Sequence, residues 1–99
     1  MAHVLFVRIT SDLGDDELDR RLAERRSRFR DVPGLVQKIY GRDATGSVCG
    51  IYVFESGEAL AAFGESELAR TIPAAYEATD VRREIYEVLT TLWPDRRPL

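Results

Sequence analysis

The spacing of apolar and polar positions changes period along the chain, and each change marks an element. His3 to Ile9 is a short β-branched and apolar run, which predicts a first strand. It is apolar on both alternating faces, Val4 and Phe6 on one, Leu5, Val7 and Ile9 on the other, as in a strand covered on both sides. Thr10-Ser11-Asp12 then offers cap residues for a first helix, with Asp15, Asp16 and Glu17 filling its first turn. Leu18, Leu22 and Phe29, with Ala23 beside them, give one narrow apolar stripe at helical spacing. Pro33 biases Val32 away from helical angles, so this helix is expected to end near Arg30.

Gly34 turns the chain into a second strand, Leu35 to Arg42, in which Leu35, Gln37 and Ile39 alternate against Val36, Lys38 and Tyr40. Asp43-Ala44-Thr45-Gly46 reads as a hairpin loop. The third strand, Val48 to Glu55, places Cys49, Ile51 and Val53 on one face and Val48, Gly50, Tyr52 and Phe54 on the other. Gly50 in mid-strand marks a bulge or a close approach by another group. Ser56 caps a second helix over Gly57 to Phe63, stopped at Gly64. Ser66 starts a further helical piece with Leu68, Ala69 and Ile72 inward, and Pro73 kinks it or opens a new short turn. Ala74 to Thr79 reads as irregular. Asp80 to Thr91 fits both periods: Val81, Ile85, Val88 and Leu89 have helical spacing, yet β-branched residues and Tyr86 favour a strand. A fourth strand is preferred, because three strands would leave the first poorly protected. Trp93 to Leu99 is a tail in which Trp93 docks on the domain.

The order β-α-β-β-α-β is the ferredoxin-like, split-βαβ arrangement with a four-stranded antiparallel sheet in one α+β domain spanning 1–99. Both hairpin strands are apolar or aromatic on both faces, whereas a single layer of helices covers only one. The other face therefore predicts sheet-to-sheet packing against a second copy, a homodimer.

Composition narrows the function. With 99 residues, 44% hydrophobic and 31% charged, the chain has the makeup of one ordinary globular domain. A net charge of −3 argues against a nucleic-acid surface. The arginines from Arg20 to Arg30 follow an acidic helix start, as a helix dipole favours, and read as a solvated face rather than a phosphate site. Cys49 is the only cysteine and His3 the only histidine, leaving no disulfide, zinc ribbon or metal-spaced cluster; His3, near the terminus, reads as exposed. No apolar run reaches membrane-spanning length and no signal-peptide pattern opens the chain, so no membrane partner and a cytoplasmic location are expected. No Gly-rich phosphate loop or nucleotide fingerprint is present, so neither a metal nor another cofactor is expected.

Pro33-Gly34-Leu35 followed by Lys38 and Tyr40, then Gly50-Ile51-Tyr52-Val53-Phe54-Glu55-Ser56, resembles the YdhR-type monooxygenases of the dimeric α+β barrel superfamily, related to the antibiotic-biosynthesis monooxygenases. Glu58-Ala59-Leu60 and Ser66-Glu67-Leu68-Ala69 extend the likeness into the second helical region. One departure is Cys49-Gly50, where the family pattern suggests a glycine pair. The resemblance implies a homodimer whose two sheets form a barrel. It also implies cofactor-free oxidation of an aromatic or quinol-like small molecule by molecular oxygen. Such a site needs an apolar cavity with one or two polar groups that take a proton or hold a phenolate. Lys38, Tyr40 and Tyr52 are the candidates for that chemistry if the two strand faces coincide; Phe54, Cys49, Tyr76 and Trp93 are candidate pocket residues. Taken singly, these tyrosines also suit core or interface positions, Lys38 suits an edge, and Cys49 suits a small buried hydrophobe. The superfamily also holds non-enzymatic members, so the alternative is a non-catalytic, small-molecule-binding or stress-associated dimeric module. A purely structural dimer without a pocket is a third reading.

Overall fold

The computed structural model describes residues 1–94. Strand β1 spans His3–Ser11, helix α1 Asp15–Arg26, β2 Leu35–Arg42, β3 Val48–Phe54, α2 Gly57–Gly64, α3 Glu67–Arg70, α4 Ile72–Ala75 and β4 Ala78–Glu87. The four strands form one antiparallel sheet in the order β2-β3-β1-β4, the ferredoxin-like order expected from the sequence. The helices pack on the face bearing Leu5, Val7 and Ile9 of β1 and Val48, Tyr52 and Phe54 of β3. Phe54 is fully buried, with Tyr52 stacked on it at 6.2 Å and Phe63 of α2 at 5.5 Å.

Several boundaries differ from expectation for local reasons. Thr10 and Ser11 do not cap α1, because pairing with Asp80 and Ala78 holds them in β1. Gly14 occupies the cap position without a side-chain bond. Ser11 Oγ instead donates to the Tyr76 carbonyl at 2.7 Å and accepts from the Leu13 amide at 3.1 Å. After Arg26 the helix tightens into a 3₁₀ turn, Ser27–Phe29, which swings Phe29 into the core. Ser56 and Ser66 do cap α2 and α3, accepting from the Ala59 and Ala69 amides at 3.1 and 3.2 Å. Pro73 opens the short turn α4, so the stretch expected to be irregular is largely ordered.

The fourth strand starts earlier and ends sooner than the expected Asp80–Thr91. Among the described residues it pairs with β1 alone, and the pairing runs out at His3 opposite Glu87. Past that point one bond, from the Val88 amide to the Ala2 carbonyl at 2.9 Å, extends the ladder. Trp93 follows at 68% exposure, so it does not dock within the chain. His3, expected to be exposed, is half-buried with its ring against Gly57, its Nδ1 3.0 Å from the Met1 carbonyl.

The hairpin contains the most consequential irregularity. Leu35 pairs with Phe54 and Gln37 with Val53, so Val36 is an extra residue in β2. The strict alternation expected for β2 therefore fails at its start: Leu35 falls on the same, helix-covered face as Lys38 and Tyr40. Gly50 lies within regular pairing with Tyr40, and its role is close approach, not a bulge. A Cβ there would lie 2.9 Å from Tyr52 Cε1 and 3.4 Å from Lys38 Cε.

The opposite sheet face carries Val4, Phe6, Ile39, Ile51, Val53 and Tyr86, and no described helix lies over it. Tyr86 is 54% exposed there. A sheet face left open in this way, apolar over β3 and β1 and charged at Arg8, Arg82 and Glu84 toward β4, is the physical sign of an unsatisfied layer.

Candidate active site

The register answers whether the two candidate faces coincide. Lys38 sits opposite Tyr52, and Tyr40 opposite Gly50, all on the helix-covered face. Because Gly50 has no side chain, the Tyr52 ring and the Lys38 stem both lean into the space it leaves. The Lys38 ammonium stands 3.2 Å from the ring centroid of Phe29, 4.3 Å from Tyr40 and 4.5 Å from Tyr52. It is thus held by three aromatic faces rather than by a carboxylate.

Beside this box is a small, partly open cavity of about 20 Å³, bordered by Val7, Ile9, Leu22, Phe29, Lys38, Tyr40, Val48, Cys49, Gly50, Tyr52, Ile72 and Tyr76. That volume suits a single water. Its border contains no Asp or Glu. Larger grooves exist, such as one of about 390 Å³ between Pro33-Gly34 and α2. The charged groups of that groove, Arg28, Asp31 and Glu55, are all exposed to water, whereas the small cavity gathers desolvated ones.

Desolvation sets the chemistry of each polar group. Burial, aided by the nearby Arg25 charge, pulls the Lys38 amine down to about 7 from 10.5. The cation–π contacts oppose this but do not supply a negative charge. Burial and the neighbouring Tyr76 push the Tyr40 phenol up to about 12. Burial likewise raises Tyr52, with Tyr40 and Tyr76 adding to the effect, and burial raises Tyr76 against the pull of Arg25. The result at neutral pH is an amine poised between base and cation, facing phenols that stay protonated as hydrogen-bond donors.

The candidate residues divide by place. Lys38, Tyr40, Tyr52 and Tyr76 border the cavity. Cys49 borders it from the intervening position, while its Sγ lies against Gly41. Phe54 supports Tyr52 from below without reaching the cavity, and Trp93 lies outside it. Sequence reasoning missed Arg25. The arginine run read as solvated, yet Arg25 is only 8% exposed, bonded to the Leu68 carbonyl at 3.2 Å and Thr71 Oγ1 at 3.4 Å. Its guanidinium lies 6.0 Å from the Tyr76 ring centroid. The signal was in the spacing: Leu18, Leu22, Arg25 and Phe29 recur by four, three and four, which puts the arginine on the buried stripe. Among the described residues no group of three or more His, Cys, Asp or Glu side chains could hold a metal ion. No helix among them is long and apolar enough to cross a membrane.

Residues 4–93 match the family described as "Putative mono-oxygenase ydhR". The chain belongs to the ydhR family. No curated protein matches this ydhR-family chain closely enough to count as a relative. Solved structures share its fold at low identity. SnoaB, a cofactor-independent oxygenase from Streptomyces nogalater, is 18% identical with a TM-score of 0.76, over 95% of this chain and 98% of that one. A monooxygenase from Streptomyces coelicolor, solved with the ligand nanaomycin D, is 17% identical with a TM-score of 0.74, over 95% and 93%. A protein of unknown function from Nitrosomonas europaea is 17% identical with a TM-score of 0.78, over 95% of each chain. This ydhR-family chain therefore shares the α+β fold of these solved structures.

Proposed function

We propose that this ydhR-family protein is a cofactor-independent monooxygenase that acts on an aromatic or quinol-like small molecule inside a homodimeric α+β barrel. The observation that carries the reading is the Lys38 amine, desolvated among Phe29, Tyr40 and Tyr52 with no acid beside it. A cavity for passive binding of an apolar molecule gains nothing from such a group, since burying it costs stability. A proton-abstracting site needs it. The ydhR family match and the cofactor-independent oxygenase SnoaB, which shares the fold, point the same way.

In the proposed reaction the substrate ring lies against the aromatic box with its acidic proton toward the Lys38 amine. Neutral Lys38 takes a proton from the substrate, and the anion left behind is held by the Tyr40 and Tyr52 hydroxyls and the new ammonium. The electron-rich anion reduces molecular oxygen, a carbon–oxygen bond forms, and a hydroperoxide results. Where that carbon carried two hydrogens, the O–O bond then breaks with loss of water. The balance is R₂CH₂ + O₂ → R₂C=O + H₂O. Oxygen is the only oxidant and the substrate supplies all the electrons.

Oxygen uptake with a panel of quinols and hydroxylated polycyclic aromatics tests this. The parent protein is expected to consume oxygen stoichiometrically with at least one of them. Tyr52→Phe, which deletes one hydroxyl from a ring that stays packed, is expected to lower kcat/KM by about tenfold, a loss of ~1.4 kcal/mol of transition-state stabilisation. No uptake with any panel member, or unchanged kcat/KM in the variant, would refute the assignment.

The homodimer has its own test. The open sheet face bearing Val4, Phe6, Ile39 and Ile51 is expected to pack on its counterpart in a second copy. Light scattering at micromolar concentration should give twice the chain mass, and Phe6→Glu together with Ile51→Glu should give a monomer. A parent protein that scatters as a monomer excludes the barrel.

A further inference from the structure

The small cavity beside Lys38 is the wrong size for an organic substrate. Its room of about 20 Å³ excludes any ring and accepts a water or a diatomic gas. A water held there would need about two to four hydrogen-bond partners, and the border is a poor source of them. Val7, Ile9, Leu22, Phe29, Val48 and Ile72 make up half of its residues, and no Asp, Glu, Asn, Gln, Ser, Thr or His is among the rest. The Lys38 ammonium is directed at ring faces, 3.2 Å from the Phe29 centroid. Tyr52 turns ring carbon, Cε1, toward the gap over Gly50. A space walled mainly by hydrocarbon favours an apolar occupant.

Of the reactants in the proposed oxidation, dioxygen alone is small and apolar enough for that space. Leaving water for it is favourable, and dioxygen gives up no hydrogen bond of consequence on entry. Position counts as much as size. Lys38, Tyr40 and Tyr52, which form the aromatic box with Phe29, also border the cavity, so box and cavity share a wall. A ring lying against the box leaves the cavity free, with a gas molecule one side chain away from the anion as it forms. Two reactants held that close have no need of a chance encounter. The larger groove between Pro33-Gly34 and α2 offers nothing similar, since it shares no residue with the cavity.

We propose that this cavity is the dioxygen-binding site of the protein, an apolar compartment that adjoins the place of the organic substrate without being part of it. The proposal rests on the oxygenase reading and adds to it the site of the second reactant.

Dissolved dioxygen is paramagnetic and speeds the relaxation of nuclei it visits, so the gas itself is the probe. Under oxygen pressure the methyl groups of Ile9 and Val48, at the cavity border, are expected to relax about twofold faster than those of Leu18, or more. Leu18 is at least as deeply buried, at 2% exposure, and does not border the cavity. Val48→Ile, which fills the space, should abolish the excess at Ile9. It should also raise the KM for oxygen several-fold and change the KM for the organic substrate less. Val48→Ala, which enlarges the space, should keep the excess at Ile9. Equal relaxation at Ile9, Val48 and Leu18 in the wild-type protein overturns the proposal, and that comparison needs no variant. A bound water seen by cross-relaxation to the Ile9 and Val48 methyls overturns it too. Since the measurement needs no turnover, the two readings fail separately. Selective relaxation without oxygen uptake removes the oxygenase and leaves the gas site. Oxygen uptake with uniform relaxation does the reverse.

Discussion

Lys38→Met is expected to abolish most activity while making the protein more stable at neutral pH. The first half follows from chemistry: removing a positioned base costs about 10²- to 10⁴-fold in rate. The parent's kcat/KM should rise with pH through about 7, where the amine loses its proton, and the variant's residual rate should lack that step. The second half follows from linkage. The Lys38 amine titrates near 7 in the folded protein and at 10.5 when exposed, so between those values the unfolded chain holds the extra proton. Stability therefore rises with pH across that window. The contribution is complete above 10.5 and is lost as pH falls to about 7, below which the charged amine stays buried at full cost. Methionine removes the charge and keeps the length. Discounted for water at the sheet edge and for the cation–π contacts, the gain is on the order of 2 kcal/mol at pH 6, shrinking toward pH 10. Urea unfolding of the two proteins at several pH values measures it, and a less stable variant at pH 6 would mean that the amine is not desolvated in solution.

Gly34→Ala is expected to be the most damaging single methyl in the hairpin. Gly34 has φ of +77°, where a side chain is strained, and a Cβ there would lie 2.5 Å from the Ala59 Cβ. Neither atom can yield: Ala59 is held in α2, its amide bonded to Ser56 Oγ, and the Gly34 carbonyl accepts from the Glu55 amide at 2.9 Å. Strain and clash together are expected to cost about 3 kcal/mol or more, lowering Tm by about 15 °C for a domain of this size. Gly64→Ala is the control. It lies at the end of α2 with nothing within 4 Å, and is expected to raise stability by about 0.5 kcal/mol. Thermal melts of the three proteins decide it, and a Gly34→Ala protein that melts like the parent would contradict the geometry.

The strand order and helical layers were legible because each element carries its own period and punctuation, such as Ser56, Ser66 and Pro33-Gly34. What escaped was non-local. The end of β4 depends on where β1 stops, not on the character of Val88 or Leu89. The cap of α1 was misplaced because pairing with Asp80 and Ala78 outweighs the capping ability of Thr10 and Ser11. In the candidate site, Lys38, Tyr40 and Tyr52 could be placed on faces by counting, since regular pairing from Gln37 onward preserves alternation. Arg25 needed a different habit: reading an arginine on an apolar stripe as a buried residue rather than as one more charge in a run.

The extra residue at Val36 bears on how this chain avoids sticking to others of its kind. β2 is the sheet's outer strand, and an outer strand with an unbroken ladder of free amides and carbonyls invites another chain to add on. With two residues set against one at Val36, that ladder is interrupted near its start, and a visiting strand finds only the short run from Gln37 to Arg42 to pair with. Pairing Val36 regularly with Phe54, instead of leaving it as the extra residue, would restore a straight, continuous edge and, by the two-residue repeat of a strand, turn Leu35 outward to water. The same kink thus protects the edge from recruitment and keeps the hairpin's first apolar residue in the core.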